Sequence, residues 1–259
     1  MSSLESAGFN RRLAELSPAS DRAWLVGMTT GLVLTVLAAF APLPPSGGTA
    51  CAYAGLLIRS ALYLWSGEAL ADRGGIVLAR LFRLGIVAGL FELCVDWGLV
   101  HGIANGRLDY LGANDVVLLA SPIWMPVAWA CVIVELGYPA VRLFGFLRRR
   151  IESRPAAVIA SVAIGIGAGI TVGFYEYFAY RAGWWKYAPA HAMIGRFCAT
   201  FVPVGEAFMF LAILPVAGRA LSRDDRPVAS AIEGGVSFAL AIAGGYALAY
   251  ALLELGRAP

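Results

Sequence analysis

Four acidic residues stand inside otherwise apolar stretches of this 259-residue chain: Glu92, Asp96, Glu176 and Glu206. An ionisable side chain in hydrocarbon is costly unless it is paired or faces a wet cavity, so each is a candidate for function. Glu92 and Asp96 are four residues apart, which puts them on one helix face. Glu206 follows Pro203 by three residues. A proline inside a helix frees a backbone carbonyl and bends the helix, which opens room for a ligand. A carboxylic acid in an apolar pocket can keep its proton at neutral pH and serve as a general acid. Two such acids in unlike surroundings can divide the acid and base roles. The chemistry this suits is protonation of a carbon–carbon double bond or opening of an epoxide, with aromatic faces stabilising the carbocation. Trp97, Trp129, Tyr175, Tyr177, Trp185 and Tyr187 are the candidate substrate-binding residues, with Trp124 and Trp184 as further aromatics. The plainer reading is a polar network joining helices, with Trp and Tyr in an interfacial belt. Trp184 and Trp185 fit that belt best.

The remaining ionisable residues carry weaker signals. Glu135 is expected near the inner end of its span, as a solvated or paired surface acid followed by Arg142. Arg196 is expected near an outer end, where it can snorkel or pair with Glu176 or Glu206. His101 and His191 fall near the outer surface, and His101 with Asp96 or Glu92 makes only a weak metal site. Asp224 and Asp225 read as solvated loop charge beside Arg223 and Arg226. Cys51, Cys94, Cys131 and Cys198 form no CxxC pair and read as packing residues. No Ser–His–Asp pattern, Walker loop or dinucleotide fingerprint is visible, so neither cofactor nor metal is expected.

The elements that position these residues are membrane helices. The chain is 59% hydrophobic and 14% charged, with mean hydropathy +0.73. A soluble domain carries about 25% charged residues. The net charge of +3 with no dense basic stripe argues against nucleic acid. The fold class expected is all-α, a polytopic bundle of about seven transmembrane helices in contact with the lipid bilayer. A span needs about 20 apolar residues. Seven stretches qualify, near 23–43, 50–70, 84–104, 116–138, 156–179, 193–216 and 231–253. The second is the weakest, since it holds Arg59 and Glu68. Residues 71–83 have charges at helical spacing and are expected to lie along the interface. Residues 1–22 form a polar N-terminal segment, and residues 23–259 one transmembrane domain.

Arginines recur in alternate connections: Arg11, Arg12 and Arg22; Arg73, Arg80 and Arg83; Arg148, Arg149, Arg150 and Arg154; Arg219, Arg223 and Arg226. The positive-inside rule then puts the N-terminus in the cytoplasm and the C-terminus outside, in the cell (inner) membrane. Pro42, Pro44 and Pro45 break the chain after the first span. Gly165, Gly167, Gly169 and Gly173 suit close helix packing.

Residues 95–129 and 175–208 look alike. In each, a span ends on an acid beside aromatics, Asp96–Trp97 or Tyr175–Glu176–Tyr177. In each, an outer loop holds a tyrosine, Tyr110 or Tyr187, and a proline follows sixteen residues later, Pro126 or Pro203. Three residues further stands Trp129 in one copy and Glu206 in the other. The pattern predicts a duplicated helix–loop–helix with repeat units near 84–138 and 156–216, and helix pairs of this kind often enclose a site. Spans three to six are therefore expected to carry function.

The segment GWWKYAPAHAMIGRFCATFVPVGEAFMF, residues 183–210, resembles a pattern in integral-membrane carotenoid and terpenoid cyclases and hydratases, notably lycopene cyclases of the heterodimeric kind. Trp185, Tyr187, Pro203 and Glu206 carry the likeness. Where the cyclase pattern has adjacent acids after the proline, this chain has Gly205 and a single Glu206. The resemblance implies cofactor-free acid chemistry on a hydrophobic isoprenoid, with Glu206 as the leading acid. Two other function classes suit buried acids and repeats: a small proton-coupled transporter, and a non-catalytic subunit that binds pigment or lipid.

Overall fold

The computed structural model describes residues 4, 6–44, 46–111 and 115–255. The helices are α1 (Ala7–Glu15), α2 (Pro18–Phe40), α3 (Gly47–Ala69), α4 (Gly75–His101), α5 (Met125–Leu147), α6 (Ser153–Ala182), α7 (Phe201–Phe210), α8 (Ile213–Ser222) and α9 (Pro227–Leu253). The all-α expectation holds. Six two- or three-residue strands lie in the connections: β1 (Leu108–Tyr110), β2 (Val117–Leu118), β3 (Ser121–Pro122), β4 (Trp185–Tyr187), β5 (Met193–Ile194) and β6 (Cys198–Ala199).

Local sequence sets the helix ends. Ser17 caps α2 in a reciprocal capping box with Ser20, and Pro18 sits in the first turn, where a missing N–H costs nothing. Gly183 closes α6 with φ +69°, a left-handed conformation that suits glycine. Helices α2, α5, α6 and α9 have the length and apolarity to cross a membrane, and the α7–α8 pair, bent by 40°, makes a fifth if taken as one span. Leu25, Leu32, Ile166, Ile170, Phe174 and Leu240 are exposed on their outer faces, as lipid contact requires. Gly165 and Gly169 of α6 press on α7: a Cβ there would lie 2.7 and 2.8 Å from the carbonyl oxygens of Ala207 and Pro203. Gly167 and Gly173 face open space.

Several expected boundaries are corrected. The fourth expected span is helical only from Met125, as α5, and not from 116, because the apolar run before it folds as the β2–β3 hairpin, with Leu119 at φ 58°. Residues 71–83 do not lie along an interface. A 3-10 turn at Ala71–Arg73 leads into α4, whose Val77–Phe82 stretch is buried. The polar N-terminal segment contains an amphipathic helix. Its Phe9 is fully buried 5.8 Å from Phe144, and α2 starts inside the segment at Pro18. Pro203 sits in the first turn of α7, where no N–H is needed, so it does not bend the span; the bend falls at Leu211–Ala212. Pro42 and Pro44 lie between α2 and α3, whereas Pro45 and the end of the 23–259 domain lie outside the described residues.

One order of elements occurs twice. Helix, strand, hairpin, helix occurs as α4, β1, β2–β3, α5 and again as α6, β4, β5–β6, α7. Strands β1 and β4 pair antiparallel into a short ribbon: Leu108 with Tyr187, Asp109 with Lys186, Tyr110 with Trp185. Tyr110 and Tyr187, Ser121 and Cys198, Pro126 and Pro203, and Trp129 and Glu206 are each 77 residues apart. A two-fold relation with that offset maps the ribbon's register onto itself.

Candidate functional site

Helix α4 carries Glu92 and Asp96 one turn apart, both buried. Asp96 accepts hydrogen bonds from Ser121 Oγ at 2.7 Å and from the Tyr110 hydroxyl. Glu92 is within hydrogen-bonding reach of Asp96 and of Trp129. Glu176, near the end of α6, accepts from the Trp185 indole N–H at 2.7 Å, and the Tyr187 hydroxyl lies close to it. Glu206, in the second turn of α7, accepts from the Tyr246 hydroxyl of α9 at 2.7 Å. One oxygen of Glu92 and one of Glu206 are buried without a partner among the described residues. A buried polar atom left unpaired costs about 1–3 kcal/mol, so these two oxygens stand out.

All four acids line one cavity of about 160 Å³, together with Tyr110, Trp124, Trp129, Tyr175, Trp185, Tyr187 and Tyr246. A space of about 150 Å³ holds a molecule the size of benzene, so this cavity has room for one end of a longer hydrocarbon and not for the whole of it. Burial and the nearby carboxylates push the Tyr110 and Tyr187 phenols well above the ordinary tyrosine value, so both stay hydrogen-bond donors. Burial also pushes the Cys198 thiol up, which keeps it protonated and unreactive.

Two of the six expected substrate-binding residues do not reach the cavity. Trp97 is 51% exposed and Tyr177 36% exposed. Each directly follows a buried acid, and one residue turns a helix by about 100°, so burying Asp96 and Glu176 sends Trp97 and Tyr177 outward. Tyr175, on the other side of Glu176, turns inward. His101 packs 5.4 Å from Trp97 on the outer face, away from the acids. The belt expected for Trp184 and Trp185 is also corrected. The ribbon folds over the bundle, leaving both only 6% exposed, and Trp184 donates to the Gly48 carbonyl at 3.0 Å.

Glu135 is neither solvated nor near a helix end. It lies midway along α5 and binds Arg59 of α3 at 2.6 Å, and both line the cavity. Its expected position followed from starting the span nine residues early. Arg142 instead pairs with Asp21. Arg196 is exposed in the β5–β6 turn, with no ion pair to Glu176 or Glu206 among the described residues. Asp224 is more than loop charge: Arg12 and Arg80 each reach it at 2.5 Å, and Arg11 joins them. Among the described residues no cluster of three or more His, Cys, Asp or Glu could hold a metal ion, and the four cysteines are free.

Tyr246 lies in α9, outside the spans three to six that the sequence points to. Its signal is the Gly-Gly-Tyr sequence: a Cβ at Gly245 would lie 2.7 Å from the Gly205 carbonyl oxygen. That close approach of α9 to α7 brings the phenol to Glu206.

Residues 93–253 match the model of a family described as a domain of unknown function (DUF6989). The matched stretch includes Asp96, Glu176, Glu206 and Tyr246 and begins one residue after Glu92. No curated protein and no solved structure matches the chain.

Proposed function

We propose that this chain, which belongs to the DUF6989 family, is a membrane-embedded isoprenoid cyclase or hydratase that works with its own carboxyl groups. The observation that carries this reading is the convergence of Glu92, Asp96, Glu176 and Glu206 on one aromatic cavity, with an unpartnered oxygen on Glu92 and on Glu206. Glu206 gives its proton to a terminal double bond. The new C–H bond takes the alkene's electron pair and leaves a carbocation, which Trp129 and Tyr175 stabilise through their ring faces. A second double bond then closes the ring, or water adds; the last proton leaves to a carboxylate of the same cluster. The Tyr246 hydroxyl steadies the Glu206 carboxylate once the proton has gone.

The bundle crosses the inner membrane seven times in this reading: α2, α3, α4, α5, α6, α7 with α8, and α9. Helices α3 and α4 are polar for spans, yet Arg59 is paired with Glu135 and Arg80 with Asp224, which lowers the cost of burying them. The arginines around Asp224 suit a cytoplasmic end, with the β1–β4 ribbon at the outer one. Substrate enters from the bilayer.

The test is turnover. Purified protein in native lipid, supplied with linear carotenoids and terpenoids, should release cyclised or hydrated product, and Glu206→Gln should abolish it. Equal turnover by Glu206→Gln would sink the acid assignment.

A further inference from the structure

The lining of the cavity has two polar clusters. Helix α5 lines it with Trp124, Ala128, Val132 and Glu135, a stripe with one residue on each successive turn. Asp96, Glu176 and the ribbon tyrosines make one cluster, Arg59 with Glu135 makes the second, and Ala128, Val132 and Val172 are apolar lining. A hydrocarbon has nothing to offer the second cluster.

The Arg59–Glu135 pair has hydrogen-bonding capacity to spare. Arg59 uses Nη1 on Glu135 Oε1 at 2.6 Å and Nε on the Gly55 carbonyl at 3.1 Å. A guanidinium has five N–H donors, and among the described residues Nη2 makes no hydrogen bond. Glu135 receives Arg59 and the Tyr63 hydroxyl on the same oxygen, Oε1. That leaves Oε2 free to accept. The pair is neutral as a whole, so it suits a neutral group that both donates and accepts. A carboxylate or phosphate on the ligand would meet Glu135 as a like charge.

We propose that the cavity binds the oxygenated end of an isoprenoid, a neutral alcohol or phenol, and that Arg59 and Glu135 hold the oxygen while the nearest double bond lies at the acids. This inference rests on the isoprenoid reading of the cavity and narrows its substrate class. A pair that only ties α3 to α5 would be indifferent to the ligand's terminus.

Binding tests it without turnover. The full chain in lipid nanodiscs is given radiolabelled farnesol, farnesoic acid or β-farnesene, three fifteen-carbon probes, with uptake by empty nanodiscs subtracted. Farnesol should bind about tenfold more tightly than β-farnesene, the scale of one net hydrogen bond, and farnesoic acid no more tightly than farnesol. Arg59→Met combined with Glu135→Met removes both charges together, and should erase the alcohol preference while keeping β-farnesene bound. Should that variant misfold, Arg59→Lys keeps the charge, loses the spare Nη2 donors and should cut the preference several-fold. Equal or tighter binding of β-farnesene, tighter binding of the acid, or a preference that survives both variants overturns this inference alone. Failure of all three probes to bind overturns the isoprenoid reading with it.

Discussion

The two helix–ribbon–helix units each clasp an acid beneath the ribbon, and they differ in the donors to it and in the side chain after the shared proline. In the first copy the ribbon tyrosine donates to the acid at the end of the preceding helix, Tyr110 to Asp96; in the second the Trp185 indole donates to Glu176 and Tyr187 lies close by. Ser121 adds a second donor to Asp96, and its counterpart 77 residues on is Cys198, a far weaker donor. At the position after the shared proline, the first copy has Trp129 and the second has Glu206. The scaffold has kept what positions an acid and varied what stands opposite it. One copy supplies an aromatic face and the other a carboxyl, a division that two identical copies could not make.

The largest expected effect breaks this comparison at its point of difference. Glu206→Gln should lower turnover by at least about 100-fold, the ordinary worth of a general acid. Trp129→Phe keeps an aromatic face, loses the indole contact to Glu92, and should lower turnover by about tenfold. Comparable losses for both would mean that the copies are not specialised as described.

How far the sequence could show this depends on the residue. Acids in apolar runs are visible without a structure, because hydrocarbon tolerates them so poorly; hence Glu92, Asp96, Glu176 and Glu206 were found, and the structure brings them to one cavity. The rotation of a helix is harder to see. Trp97, Tyr175 and Tyr177 all neighbour an acid, but only Tyr175 falls on the inner side of it. The apolar Val116–Leu119 stretch reads as span by hydropathy, yet a hairpin can be as apolar as a helix. Arg59 and Tyr246 come from α3 and α9, outside both copies. Their roles depend on contacts 76 and 40 residues away in sequence, which local pattern does not reveal.

The two clasps provide the next test, on stability. Tyr110→Phe removes a buried donor to Asp96, at a cost of about 1–3 kcal/mol, read as a lowered midpoint in thermal unfolding in detergent, and Tyr187→Phe should cost less. Equal losses would mean that Tyr187 serves Glu176 as Tyr110 serves Asp96. Both phenols are raised above the ordinary value of 10.0, so the folded protein holds these protons more tightly than the unfolded chain. Their contribution is complete below pH 10.0 and is lost as pH rises above it towards the raised values. Each Tyr→Phe variant should therefore show a shallower loss of stability at high pH than the parent protein.

The smallest effect concerns Ser121 and Cys198. Ser121→Ala removes one of the donors to Asp96 and should cost about 1 kcal/mol. Cys198 is fully buried, and among the described residues its thiol bonds only the neighbouring Ala199 carbonyl, at 3.4 Å. Cys198→Ser would give the second copy the hydroxyl of the first. If the copies are equivalent, that hydroxyl turns to Glu176 as Ser121 turns to Asp96, and the midpoint should move by less than about 1 kcal/mol. A larger loss would mean that the hydroxyl is stranded. The three-residue difference in where each acid sits relative to its ribbon tyrosine, fourteen residues from Asp96 to Tyr110 and eleven from Glu176 to Tyr187, would then have carried the second acid out of that hydroxyl's reach.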